Sequence, residues 1–112
     1  MKTSFGEMDI ILKADGKPQV EHLIFEREGR PHRHASFESF FVLKGTGKVY
    51  IDEEVFNVKP GSQVVIPPNS VHWMAPSENT FLEGLLWYHT CESSEHLRHK
   101  ARGLTNSSFG FV

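Results

Sequence analysis

Eight short β-prone stretches, separated by turn residues, recur along almost the whole chain. They fall at 9–12, 19–27, 39–43, 48–51, 55–58, 63–66, 71–74 and 81–89, rich in Val, Ile, Leu and Phe. The breakers between them include Asp15-Gly16-Lys17-Pro18, Glu28-Gly29-Arg30-Pro31, Lys44-Gly45-Thr46-Gly47, Lys59-Pro60-Gly61 and Pro67-Pro68-Asn69. Strands this short and this evenly spaced cannot each be followed by a crossover helix. They have to pack as antiparallel layers, so the expected class is all-β, a sandwich or barrel. The Gly45–Gly47 turn reads as the tip of a hairpin joining 39–43 to 48–51. The end of the chain reads differently. Ser93-Ser94-Glu95 is an N-cap signal, and Leu97, Ala101 and Leu104 follow at helical spacing. A short C-terminal helix over 94–102 is expected, followed by a tail.

A chain of 112 residues has room for one modest core, so the expectation is a single domain, with a barrel body of about 8–90 and a helix and tail over 93–112. The net charge of −2 offers no basic stripe for phosphates, which argues against nucleic acid as a partner. No apolar run approaches the ~20 residues needed to span a bilayer, so no membrane role is expected. The opening residues lack the apolar stretch of a signal peptide, and the single Cys91 has no internal disulfide partner. These features together favour a cytoplasmic protein.

The chemistry concentrates in two places. His32 and His34 lie two apart, and in extended chain such residues project from one face. Two imidazoles can therefore close on one ion as a pincer. Glu38 begins the next stretch and reaches the same point if 35–37 bends. His72, far along the sequence, would close the set from another wall. Three imidazoles and one carboxylate suit a divalent transition metal ion such as Fe, Mn, Ni or Zn. Around a six-coordinate ion they leave two positions open for water, oxygen or a chelating ligand, whereas in a tetrahedral zinc site they close the shell.

These residues resemble the paired motifs of the cupin superfamily. His32, His34, Glu38 and Gly45 meet the first motif without a gap. Gly61, Pro67 and His72 meet the second, with Asn69 where the family has a glycine and Pro76 where it has an asparagine. Asn tolerates a left-handed backbone, so the first departure preserves the turn. Pro76 affects only a loop contact after the strand. The likeness covers 29–76 through the motifs and extends to about 89 through the strand series. It implies an antiparallel double-stranded β-helix, or jelly-roll barrel, of two sheets, open at one end with the ion inside. It implies His32, His34, Glu38 and His72 as ligands, and a homodimer. It does not imply a reaction, because such proteins include dioxygenases, isomerases, epimerases, decarboxylases, lyases, sensor modules and storage proteins.

Around the ion, alternation puts Phe40 and Val42 on the Glu38 side and Phe41 and Leu43 on the other. Apolar residues on both faces suggest that the outer one is covered by another sheet or a second subunit. Phe40 is a candidate pocket residue, although core packing is its simpler role. Arg27 could hold a carboxylate bidentately, or be a solvated strand-end charge. Gln63 could orient a ligand histidine or a water. His89 could be a further imidazole near the pocket, or an exposed strand-end residue. His22 stands in a similar position. A coordinated Glu38 is a poor free base, and no second group for moving protons is identifiable. The expected function is that of a metal-binding enzyme acting on a small oxygen-rich compound, by dioxygenase, isomerase or lyase chemistry. The alternative is a metal-dependent module that binds or senses a small molecule without turning it over.

Overall fold

The computed structural model describes residues 1–89. The helix expected over 94–102, the tail and Cys91 lie outside the described residues. Eight strands form in chain order: β1 (Gly6–Ala14), β2 (Lys17–Phe25), β3 (Glu38–Gly45), β4 (Gly47–Ile51), β5 (Glu54–Val58), β6 (Gln63–Ile66), β7 (His72–Pro76) and β8 (Leu82–Tyr88). They build two antiparallel sheets, one ordered β1-β2-β8-β3-β6 and one ordered β5-β4-β7. Among the described residues no helix is long and apolar enough to cross a membrane.

Turn chemistry sets the local connections. Asp15 and Gly16, with φ of 52° and 75°, turn β1 into β2. Two consecutive positive φ values match the twist of a two-residue hairpin. Asp52, at φ 53°, opens the turn from β4 to β5. Asn69 has φ 62°, the left-handed conformation expected of it.

The hairpin expected between 39–43 and 48–51 does not form. β3 stays in the large sheet between β8 and β6, while β4 enters the small sheet between β5 and β7. The Gly45–Gly47 segment is instead a corner between sheets. Gly45 sits at φ 83°, and any side chain there would run into the carbonyl of Phe81. The same glycines serve a hairpin tip or a sheet corner, so turn composition could not separate the two.

Alternation governs the packing. On β3, Phe40 and Val42 are fully buried, Phe41 is half-buried and Leu43 is exposed. Phe40 and Val42 join Leu23, Phe25, Val49, Val64, Ile66 and Leu82 in one core between the sheets. On the outer face, Phe41, Leu85 and Trp87 are half-buried and interleaved with polar pairs. His22 Nε2 lies 2.7 Å from Glu83 Oε2, and Ser39 Oγ lies 2.7 Å from His89 Nε2.

Candidate metal centre

The segment before β3 is tied to β7 by a reciprocal backbone pair. The His32 N–H donates to the His72 carbonyl at 3.2 Å, and the His72 N–H donates to the His32 carbonyl at 2.9 Å. The Asn69 N–H donates to the His34 carbonyl at 2.8 Å. Residues 40 positions apart in sequence are thereby held side by side. β3 begins at Glu38, whose backbone pairs with Ile66 on one side and Tyr88 on the other. The backbones at or beside all four residues are thus fixed by hydrogen bonds.

The side chains converge. One ring nitrogen from each of His32, His34 and His72 can be chosen so that all lie within 4.8 Å of one another. Ring centroids are 4.2 Å apart for His32 and His72, 4.9 Å for His34 and His72, and 5.2 Å for His32 and His34. Glu38 Oε1 lies 3.3 Å from His34 Nε2 and 3.2 Å from His72 Nε2. Despite these distances, among the described residues Glu38 Oε1 and His72 Nε2 have no hydrogen-bond partner, and neither has His34 Nδ1. The atoms are close without pointing at one another.

Tautomers follow from the outer contacts. His32 Nδ1 lies 3.0 Å from the Arg30 carbonyl, and His72 Nδ1 lies 3.0 Å from the Ser70 carbonyl. A carbonyl only accepts, so each Nδ1 carries the proton and each neutral ring leaves an Nε2 lone pair free. Burial holds the His34 imidazole below its ordinary pKa against the opposing pull of Glu38, while His72 and His32 push the same way as burial. A depressed pKa keeps the ring in the neutral form a metal requires. Each buried polar atom without a partner costs roughly 1–3 kcal/mol. A cation at the convergence point would satisfy several of them at once, so the residues present fit a divalent transition ion.

The cluster sits in the wall of a cavity of about 420 Å³ between the sheets. His32, His34, Glu38 and His72 line one part of it, and Phe5, Met8, Leu23, Phe25 and Leu86 line much of the rest. The room is that of a small-molecule site.

The family model described as Cupin domain matches residues 21–88. The chain is a cupin. Its curated relatives include a 5-nitrosalicylic acid 1,2-dioxygenase of Bradyrhizobium sp, 28% identical over 90 residues that make up 68% of this chain and 43% of that protein. A gentisate 1,2-dioxygenase of Haloferax sp is 27% identical over 62 residues, 55% of this chain and 17% of that protein. This cupin therefore spans less than half the length of either. Among solved structures, a protein of Thermotoga maritima described as a predicted oxalate decarboxylase superposes with a TM-score of 0.67 at 18% identity, covering 75% of this chain and 79% of that one. That likeness concerns the fold alone.

The other sequence candidates lie elsewhere in the cupin barrel. Phe40 is buried in the core, edge-on to Phe25 at 6.1 Å, and is not among the residues lining the cavity. Arg27 is exposed beside Glu26 at 3.6 Å, on a separate depression formed with residues 75–81. Gln63 pairs with Phe41, which puts it on the outer face of the large sheet. His89 is on that face too, stacked on Phe37 at 4.2 Å and bonded to Ser39. Burial lowers its pKa. Trp73 stacks on Tyr50 at 4.5 Å and donates to Glu28 at 2.7 Å.

Two cavity residues were not singled out from sequence. Glu21 of β2 is only 7% exposed, and its Oε1 accepts a hydrogen bond from the Tyr88 hydroxyl of β8 at 3.2 Å. Burial raises the Glu21 pKa, Tyr88 lowers it and Glu38 raises it. The Tyr88 phenol is likewise pushed up, chiefly by burial and then by Glu21 and Glu38. The available signal was parity, since Glu21 shares a face with Leu23 and Phe25, and Tyr88 with Leu82 and Leu86. Apolar Val20, Ile24, Leu85 and Trp87 on the opposite face hid it.

Proposed function

We infer that this cupin is a metal-dependent enzyme acting on a small oxygen-rich compound bearing hydroxyl, keto or carboxylate groups. The observation that carries the reading is the convergence of three histidines with Glu38 in the wall of a largely apolar cavity. His32, His34, His72 and Glu38 would hold one divalent ion, iron, manganese, nickel or zinc. Such an ion supplies Lewis acidity toward adjacent ligand oxygens and, if redox-active, a route to oxygen chemistry. The outer hydrogen bonds from His32 and His72 to backbone carbonyls hold their rings in the ligating tautomer. Apolar side chains line much of the remaining volume. Among dioxygenase, isomerase and lyase chemistry, the two relatives named as dioxygenases of hydroxybenzoic acids support the first.

The test is oxygen uptake by protein reconstituted in turn with iron(II), manganese(II), nickel(II) and zinc(II), against hydroxybenzoates that include 5-nitrosalicylate and gentisate. Isomerase and lyase products are sought by mass spectrometry over a panel of hydroxy and keto acids. Turnover with at least one compound, lost in His72→Ala, is the expected outcome. Tight ligand binding with no product from any compound would replace the enzyme with a binding module. The reading also includes a cytoplasmic setting and a homodimer, the latter supported by the half-buried apolar outer face of the large sheet. Light scattering at micromolar concentration is expected to give twice the chain mass, and a monomer would remove the dimer.

A further inference from the structure

Among the mainly apolar side chains on the inward face of the large sheet, three polar ones lie on three neighbouring strands. Glu21 lies on β2, Tyr88 on β8 and Glu38 on β3. Register pairs Glu21 with Leu86 and Tyr88 with Glu38, so Glu21 is two strands from the metal cluster. Two strand spacings and a two-residue offset in register put the backbones of Glu21 and Glu38 about 12 Å apart, with Tyr88 between them. Leu23, Leu86, Phe5 and Met8 line the same cavity.

Glu21 has no assigned role, and its placement is costly. It is more than nine-tenths buried, and among the described residues Tyr88 is the one hydrogen-bond donor recorded against its side chain, with no cation beside it. A buried carboxylate with one neutral partner carries a desolvation cost that a second donor would relieve. The Tyr88 hydroxyl commits its hydrogen to Glu21, so Tyr88 has only acceptor capacity left for the cavity. The free carboxylate oxygen is an acceptor too.

We propose that Glu21 and Tyr88 form a second anchor in the cavity, which selects ligands carrying a hydroxyl or amino donor at the end away from their metal-chelating oxygens. The ligand class is a small, mostly apolar or aromatic molecule with chelating oxygens at one end and a hydrogen-bond donor at the other. The inference rests on the metal-dependent reading above and adds the specificity of the end remote from the metal. Glu21 and Tyr88 act here through substrate recognition.

The test uses cobalt(II)-loaded protein, whose visible spectrum reports a ligand on the ion. The probes are benzohydroxamate, which chelates through two oxygens, and its 4-hydroxy and 4-methoxy derivatives. The 4-hydroxy compound is expected to bind at least ~10-fold more tightly than the other two, as one hydrogen bond to a buried charged acceptor provides. In Glu21→Leu that preference falls to within about twofold, with cobalt stoichiometry unchanged. Glu21→Gln keeps the volume and loses the charge, and it is expected to retain only a few-fold preference if Glu21→Leu does not fold. Equal affinity of all three probes for the parent protein would overturn the anchor and leave the metal reading intact. A preference that survives both variants would overturn the assignment to Glu21. No spectral change with any hydroxamate would overturn both readings together.

Discussion

His72→Ala is expected to abolish stoichiometric metal binding while leaving the apo fold close to its parent stability. His72 is 2% exposed and among the described residues its Nε2 has no hydrogen-bond partner. Truncation loses packing and the Nδ1 bond to Ser70, but it also removes a buried orphan acceptor, so the two effects oppose. In the metal-loaded protein nothing offsets the loss of a ligand. An ion present at about 1,000 times its dissociation constant stabilises the folded state by roughly 4 kcal/mol. Thermal unfolding with and without chelator is therefore expected to show a large metal-dependent rise in Tm for the parent chain and none for the variant. Elemental analysis supplies the stoichiometry, about one ion per parent chain. A variant that retains a full equivalent of metal would show that His72 is not a ligand.

Phe40→Ala is expected to cost about 3–5 kcal/mol, the range for deleting a fully buried aromatic ring. The ring has 0% exposure and stands edge-on to Phe25. It also lies over Gly84 of β8, where an added Cβ would come within 2.7 Å of ring carbons. The ring fills the space that a side chain at position 84 would otherwise occupy, so its removal opens a void with no neighbour able to grow into it. Stabilities of domains are commonly ~5–15 kcal/mol, so the loss is a large fraction of the whole. Urea titration measures it, and a change below ~1 kcal/mol would place Phe40 outside the core.

These two residues show how unevenly the molecule could be read from its sequence. The His-x-His spacing, Glu38 and the distant His72 were visible because metal ligands are chemically distinctive and one pair is adjacent in sequence. Counting in twos from Glu38 puts Phe40 on the inner face, where it packs in the core. On β2, hydrophobic residues on both faces blur the alternation, and Glu21 does not stand out. Polarity alone makes Gln63 and Arg27 pocket candidates. Register places Gln63 on the outer face, and Arg27 lines a different depression.

Strand count, turn conformations such as that of Asn69, and the pairing of His32 with His34 follow from short-range rules of sterics and ligand chemistry, which act within a few residues of chain, while the distant His72 joins the set through the cupin resemblance. The partner of each strand does not. Whether Gly45–Gly47 closes a hairpin or turns a corner depends on what β8 and β7 offer on either side, and those strands arrive more than twenty residues later. The meeting of Glu21 with Tyr88, 67 positions apart, exists only because β2 pairs with β8 in one register. A shift of β2 by one residue against β8 would send Glu21 to the outer face, away from Tyr88. That register is a property of the assembled sheets, set by the burial of both inner faces together, and no local stretch of the chain contains it.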